Sequence, residues 1–478
     1  MAIEWSGLGP ELLLRLDRSA GQPLRAQLET SLREAIRDGR LRGGERLPSS
    51  RELARGLGVS RGMVQDCYGQ LLAEGYLTSR GGSATRVADV QERPAMAAAP
   101  AAPPVRPVAE RTMIADFQPG VPDLTSFPRA DWARAVGQAC TEIPTADLGY
   151  GDPRGSAVLR DVLAAYLRRI RAADAHPAQM IVTTGFAQGV NLVLRALIRE
   201  RAVSCVAIED PGYGPAEDDE TVRAFLAMGL RVAYVPVDEE GLVVSALAAT
   251  GAEAVVVTPA HQAPMGMVLS AARRHALLDW ARQTGGYVIE DDYDSEFRYD
   301  SEPVGTLQGL APDQVFLLGT ASKALAPAMR LGWMQAPPAL AAAVAAEKEM
   351  NDRGSNTVDQ LALALLLTSG RYDRHLRRMR GVYAARRAAL VAAFARHCPA
   401  VRLTGLVAGF QAVALLPAAA GEAAVIAAAR DRRVGLYGLA EYRGQPDPAA
   451  WGALVIGFGN VAERAIDPAF AAVADLLR

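Results

Sequence analysis

Seven short apolar segments constrain this chain more than any other feature. They read MIVTTG, SCVAIEDPGY, RVAYVPVD, EAVVVTP, YVIEDDY, QVFLLGT and RLGWMQAP, and helical runs such as AARRHALLDWARQTG separate them. Strands this short and apolar must be covered on both faces, and intervening helices supply the cover. The pattern predicts a mostly parallel α/β sheet. Ligands in such a sheet sit at the carboxyl ends of the strands. The polar residues fall there: Thr184–Gln188, Asp210–Tyr213, His261–Gly266, Asp291–Tyr293 and Thr320–Lys323 each follow an apolar strand.

Lys323 stands out within that set. The chain has 51 Lys+Arg but only two lysines, Lys323 and Lys348. Where Arg serves every other cationic role, a surviving Lys marks a place where a neutral amine must form. A Schiff base is such a place, because guanidinium stays protonated. Lys348 lies between Glu347 and Glu349 and reads as a solvated helix residue. Lys323 lies in SKALAP between apolar segments and anchors a pyridoxal phosphate (PLP) pocket assembled from the strand ends. Asp291 suits the pyridine nitrogen, Tyr293 the 3-oxygen and Tyr213 the ring face. Thr320, Ser322, Arg330 and the helix start at Gly185 and Phe186 suit the phosphate. Singly, Asp-Asp-Tyr also suits a solvated strand end, and TGFAQG an ordinary strand–helix turn. Their ordered conjunction with one of two lysines points to the cofactor.

The N-terminal part has a different rhythm. LLLRL reads as a short strand. Leu24, Leu28, Leu32 and Ile36 make a helical stripe ending at Gly39. SSRELARGLGV gives a second helix, capped by Ser49 or Ser50 and broken by Gly58. SRGMVQDCYGQLLAEG gives a third, capped by Ser60 and stopped at Gly75. YLTSRGGSATRVA reads as two strands around a Gly-rich turn. This is the layout of a winged helix-turn-helix. Residues 22–88 carry eleven Arg against seven acids, net +4, in a chain of net charge −2. A local basic excess suits phosphate contact, and equally a solvated helical surface.

Residues 90–112 are rich in Pro and Ala without periodicity and read as a linker. The domains are therefore 1–89, DNA-binding; 90–112, linker; and 113–478, effector. The four cysteines form no CxxC pair, so no disulfide framework or metal site is expected, and a reducing cytoplasm is. The N-terminus has no signal-peptide pattern, and no window approaches a membrane span.

From GERLPSSRELA, LGVSR and LLAEGYLTSR, the first domain resembles the GntR family of bacterial transcription regulators. The resemblance implies that Ser49, Arg51, Ser60, Arg61 and Gln65 face double-stranded operator DNA, with Gly81 and Gly82 at the wing tip. Gly62 and Met63 depart from the family's polar residue and Thr. YGDPRGSAVLR, EDPGY, TPAHQAPMG, IEDDYDSEFRY and GTASKALAPAMRLG make the rest similar to class I/II aminotransferases of the MocR group. There a winged helix is fused to a PLP-dependent transferase fold (fold type I) with a small C-terminal α+β subdomain. The resemblance implies a head-to-tail homodimer, in which Tyr150 reaches the partner's cofactor phosphate, and a cytoplasmic protein that joins the nucleoid when bound to DNA.

Three departures bear on the ligand. Val455 stands where aminotransferases carry the carboxylate-binding Arg, with Arg443 and Arg464 the nearest in sequence. Pro215 replaces an Arg found in some amino-acid-binding relatives, and Ala263 an Asn. The expectation is a sensor of PLP itself, in the manner of the PdxR-type members that control vitamin B6 synthesis, with no catalytic residue beyond the Schiff-base lysine. Two alternatives stand beside it: a sensor of an amino acid or GABA-like amine, and a working aminotransferase with a DNA-binding appendage.

Overall fold

In the computed structural model, the helical stripe forms α1 (Leu24–Arg37) and buries Leu28, Leu32, Ala35 and Ile36. Helix α2 (Ser50–Leu57) opens on a reciprocal cap. Ser49 Oγ accepts from Glu52 N, and the Glu52 carboxylate accepts from Ser49 N. Such a cap is worth about 1 kcal/mol. Gly58 ends α2 at φ 61°, a left-handed conformation that glycine adopts without cost. Helix α3 (Arg61–Ala73) is capped by Ser60 and packs on α1 and α2 through Val64, Cys67, Tyr68 and Leu71. Strands β1 (Leu77–Thr78) and β2 (Arg86–Val87) pair antiparallel. This is the expected winged helix.

The structure describes residues 16–19, 21–79, 84–89, 113–215, 218–299, 304–417, 421–445 and 452–478. All of LLLRL but Leu16, the linker and the wing-tip pair Gly81 and Gly82 lie outside them. The chain divides into two compact units, Met1–Ala109 and Glu110–Arg478.

In the second unit, all seven apolar segments are strands. They are β4 (Met180–Thr183), β5 (Cys205–Asp210), β6 (Arg231–Asp238), β8 (Ala254–Val257), β9 (Tyr287–Asp292), β10 (Val315–Thr320) and β11 (Gly332–Gln335). With the short β7 (Gly241–Leu242) they form one sheet in the order β4-β11-β10-β9-β8-β5-β6-β7. The run from β10 through β9, β8 and β5 to β6 is parallel, and β11 lies antiparallel to both β10 and β4. Alternate side chains feed opposite cores: Val288 enters one cluster, Ile289 the other. Helices cover both faces: α4 (Arg129–Glu142), α5 (Ala157–Arg171), α6 (Phe186–Arg201), α7 (Glu220–Ala227), α8 (Val244–Ala249), α9 (Ala271–Thr284), α10 (Ala341–Asp352) and α11 (Thr357–Thr368).

The long α12 (Arg371–His397) leads into the small subdomain. There β12 (Arg402–Thr404), β13 (Gln411–Leu415) and β15 (Ala453–Gly457) form an antiparallel sheet with α13 (Glu422–Asp431) and α14 (Glu463–Val473). The opening strand β3 (Ala115–Asp116) pairs with β14 (Val434–Gly435), tying the start of the unit to its end. One sequence expectation is overturned here. Lys348 is not solvated: it is fully buried on α10, on the stripe of Ala341 and Val344. No helix among the described residues is long and apolar enough to cross a membrane.

Candidate cofactor site and nucleic-acid interface

The carboxyl ends of the parallel strands open into a cavity of about 620 Å³. Strand β10 is buried along its whole length, and the chain turns sharply after it. In that turn Ser322 N donates to Thr320 Oγ1 at 3.1 Å, and Thr320 Oγ1 donates to Ser322 Oγ at 2.9 Å. These bonds fix the turn from which Lys323 projects. Its Nζ donates to the Gly120 carbonyl at 2.6 Å. Burial lowers the Lys323 pKa against the attraction of Asp291 and Asp294. That is the direction an amine needs if it is to lose its proton.

Asp291 lies in the adjacent strand β9, with one carboxylate oxygen partnered and one not. Tyr213 Oη donates to Oδ2 at 3.2 Å, while Oδ1 is buried with no hydrogen-bond partner among the described residues. Burial pushes its pKa up to about 8, opposed by the Tyr213 bond and the Lys323 charge. A buried acceptor without a donor is costly unless a ligand supplies one.

At the far end of the cavity, Gly185 begins α6 at φ 121°. That backbone conformation suits glycine, and the Arg330 guanidinium stands beside it. The free N–H groups of the α6 start and Arg330 form an anion cradle. The Phe186 and Tyr213 rings lie parallel, 6° apart in plane and 5.7 Å between centroids. Tyr293 falls one residue past β9 and lines the cavity. Its Oη is 3.1 Å from His261 Nδ1, which is 2.8 Å from Asp294 Oδ2.

The structure thus brings Lys323, Asp291, Tyr293, Tyr213, Gly185, Phe186, Thr320, Ser322 and Arg330 to one cavity. Tyr150 is not among its lining residues. It is 78% exposed, with the Arg353 guanidinium 5.7 Å from its ring centroid. Several lining residues were not singled out from the sequence, among them Gly120, Asp219, Gln411, Glu441 and Tyr442. Gln411 and Tyr442 arrive from distant parts of the small subdomain, and no local pattern marks them. Gly120 lies in FQPGVPD, where a glycine between two prolines was the available clue.

The donor set fits PLP. A lysine amine, an unpartnered buried carboxylate oxygen and a cationic cradle stand in one cavity. Arg330 is the sole arginine lining it among the described residues, and Glu441 and Asp219 line it as well. Val455 is fully buried in a small core with Val413, Leu439 and Ala453 and does not reach the cavity. Arg443 stands beside Asp210, and Arg464 is exposed on α14.

In the first unit Ser49, Arg51, Ser60, Arg61 and Gln65 are all exposed around the starts of α2 and α3. Ser49 and Ser60 use their hydroxyls as helix caps, Ser60 Oγ accepting from Met63 N at 3.2 Å. Arg61 Nε is 3.4 Å from Ser50 Oγ, and Tyr68 Oη donates to Pro48 O at 3.0 Å, joining α3 to the approach to α2.

The sheet order, the lysine turn and the small subdomain define a fold-type I PLP-dependent transferase architecture. Residues 121–440 match the model for aminotransferase class I and II, and residues 24–87 that for bacterial regulatory proteins of the gntR family. The pyridoxine biosynthesis regulator PdxR of Corynebacterium glutamicum is 33% identical over 94% of this chain and 95% of its own length. The probable rhizopine catabolism regulatory protein MocR of Rhizobium meliloti is 33% identical over 80% of each chain. The α-aminoadipate aminotransferase LysN of Thermus thermophilus, solved with N-(5'-phosphopyridoxyl)-L-leucine, superposes with a TM-score of 0.67. It is 24% identical and covers 76% of this chain and 92% of its own. The chain belongs to the MocR-type, PdxR-like group, in which a gntR-family helix-turn-helix precedes a class I/II aminotransferase domain.

Proposed function

We propose that this chain is a transcriptional regulator that binds operator DNA through its winged helix and senses PLP held on Lys323. The observation that carries the reading is the charge layout of the cavity. One end offers a cationic cradle and an amine of lowered pKa; no arginine besides Arg330 lines the cavity among the described residues, and Val455, which the resemblance sets at the carboxylate-binding position, lies in the core. When bound, PLP supplies an electrophilic carbonyl to the lysine amine. Arg330 and the α6 start bind the phosphate. Asp291 Oδ1 would accept from the protonated ring nitrogen, Tyr293 would donate to the 3-oxygen, and Tyr213, backed by Phe186, would cover one face of the ring.

The working unit is a head-to-tail homodimer. Tyr150, outside its own cavity and exposed, reaches the cofactor phosphate of a second copy. Arg51, Arg61 and Gln65 meet phosphates and base edges. An effector can shift DNA affinity only through its different affinity for two global states, typically about 5- to 150-fold.

The test uses the parent protein and Lys323→Ala. After incubation with PLP and removal of free cofactor, the parent retains the absorbance of covalently held PLP and Lys323→Ala does not. PLP changes operator affinity, read by fluorescence anisotropy, only in the parent. Equal retention by Lys323→Ala, or operator binding indifferent to PLP, refutes the proposal. A saturable spectral change with micromolar amino acid or GABA transfers the effector role to an amine. Sustained turnover of amino and keto acid pairs makes the domain a working aminotransferase.

A further inference from the structure

Lys348 is the second lysine of an otherwise arginine-only chain, and its surroundings explain why it is not Arg. The side chain is fully buried. An ammonium has three N–H donors, and three oxygens converge on this one. Asp352 Oδ2 is at 2.7 Å, Ser355 Oγ at 3.0 Å and Gln188 Oε1 at 3.5 Å. A planar guanidinium sets its donors in a rigid fork and does not match that convergence.

The three acceptors lead in two directions. Gln188 sits in the first turn of α6, and its Oε1 also accepts from Thr184 N at 2.9 Å. Thr184 immediately precedes Gly185, so this bond sets the chain's entry into the anion cradle. Gln188 Nε2 donates to Asp352 Oδ2 at 2.7 Å and to Asn351 Oδ1 at 3.0 Å, closing the ring around the ammonium.

The other direction runs to the loop that bears Tyr150. Asp352 Oδ1 accepts from Gly354 N at 2.8 Å, and Arg353 lies over the Tyr150 ring. Gly354, at φ 115°, lies beside the Tyr150 carbonyl, within contact distance of where a Cβ would stand. Ser355 O accepts from Gln360 Nε2 at 3.0 Å, and Gln360 Oε1 accepts from Ser156 N at 2.7 Å. One buried cation therefore ties the cradle turn of α6, the end of α10 and the 150–156 loop into a single hydrogen-bonded body.

We infer that Lys348 is a positioning residue for cofactor phosphate, holding the Thr184–Gln188 cradle and the Tyr150 loop in fixed relation. The inference rests on the PLP reading above. It assigns Lys348 no contact with the cofactor.

The experiment separates the phosphate from the rest of the ligand. PLP and pyridoxal, which lacks the phosphate, are titrated by absorbance into cofactor-free parent, Lys348→Met, Lys348→Arg and Gln188→Leu. The parent prefers PLP; if it takes up neither compound, the PLP reading fails before Lys348 is tested. In Lys348→Met the ratio of PLP to pyridoxal affinity falls at least 10-fold while pyridoxal affinity stays within twofold. Lys348→Arg does not restore the ratio. Gln188→Leu, at a half-buried position, lowers it in the same direction and carries the test if Lys348→Met does not fold. An unchanged ratio, whether both affinities hold or both fall together, overturns the inference, and so does full function in Lys348→Arg.

Discussion

Asp291→Asn is expected to reverse the sign of its stability effect between pH 5 and pH 8 in the cofactor-free protein. An unfolded Asp titrates near about 3.9; in the fold, burial raises Asp291 to about 8. With the folded value raised, the carboxyl contributes stability that is present below about pH 4 and lost as the pH rises toward 8. At about 1.4 kcal/mol per pH unit, the loss relative to a non-titrating side chain reaches about 4 kcal/mol at pH 7 and about 1.5 kcal/mol at pH 5. Asn escapes that loss but places an amide N–H₂ where Oδ1 has no partner, at a cost of about 2 kcal/mol. Tyr213 still has an oxygen to donate to. The variant therefore gains about 2 kcal/mol at pH 7 and more at pH 8, and is slightly less stable than the parent at pH 5. A domain of this size converts that gain to a rise of about 3 °C at pH 7. Thermal melts of parent and variant from pH 5 to 8.5, followed by far-ultraviolet circular dichroism, read the effect. A constant offset across that range, or a variant less stable than the parent at pH 8, refutes the burial argument. The same substitution should weaken PLP uptake, so stability and function move in opposite directions at one residue.

Other outcomes are open to direct measurement. Arg171 holds Asp292 through two bonds of 2.8 and 3.0 Å with both side chains buried, so Arg171→Met should cost about 3–5 kcal/mol, seen as a lower denaturation midpoint. An unchanged denaturation midpoint would count against an uncompensated buried charge. Arg51→Ala and Arg61→Ala should each weaken operator binding about uniformly across sequences or relax one base preference, and a phosphate contact should reduce the salt slope by about 1. Ser60→Ala removes the cap of α3 and should cost about 1 kcal/mol in the melting of the winged helix, with Ser60→Asp largely retaining stability.

The sheet was legible because fully buried strands announce themselves: each of the seven apolar segments became a strand, and the polar residues at their ends met in one cavity. The winged helix was legible through its caps and stops at Ser49, Gly58, Ser60 and Gly75. Pairings across long sequence distances were not legible. Arg171 meets Asp292, His261 meets Asp294, and Gln411 and Tyr442 join the cavity from the small subdomain, with nothing local to mark them. Lys348 shows a subtler failure. Its glutamate neighbours suggested solvent, yet its helical spacing from Ala341 and Val344 placed it on the buried stripe. Periodicity outranked neighbouring charge there, because a helix turns about 100° between one residue and the next.

The burial of Val455 also bears on how such a domain can change over time. The position lies in a strand interior, packed with Val413, Leu439 and Ala453 and closed to the cavity. An arginine introduced there would find an apolar shell in place of a ligand carboxylate and would disrupt the small sheet. An arginine at this position therefore needs compensating changes in the side chains around it, because no single substitution supplies both the cation and a shell that can hold it.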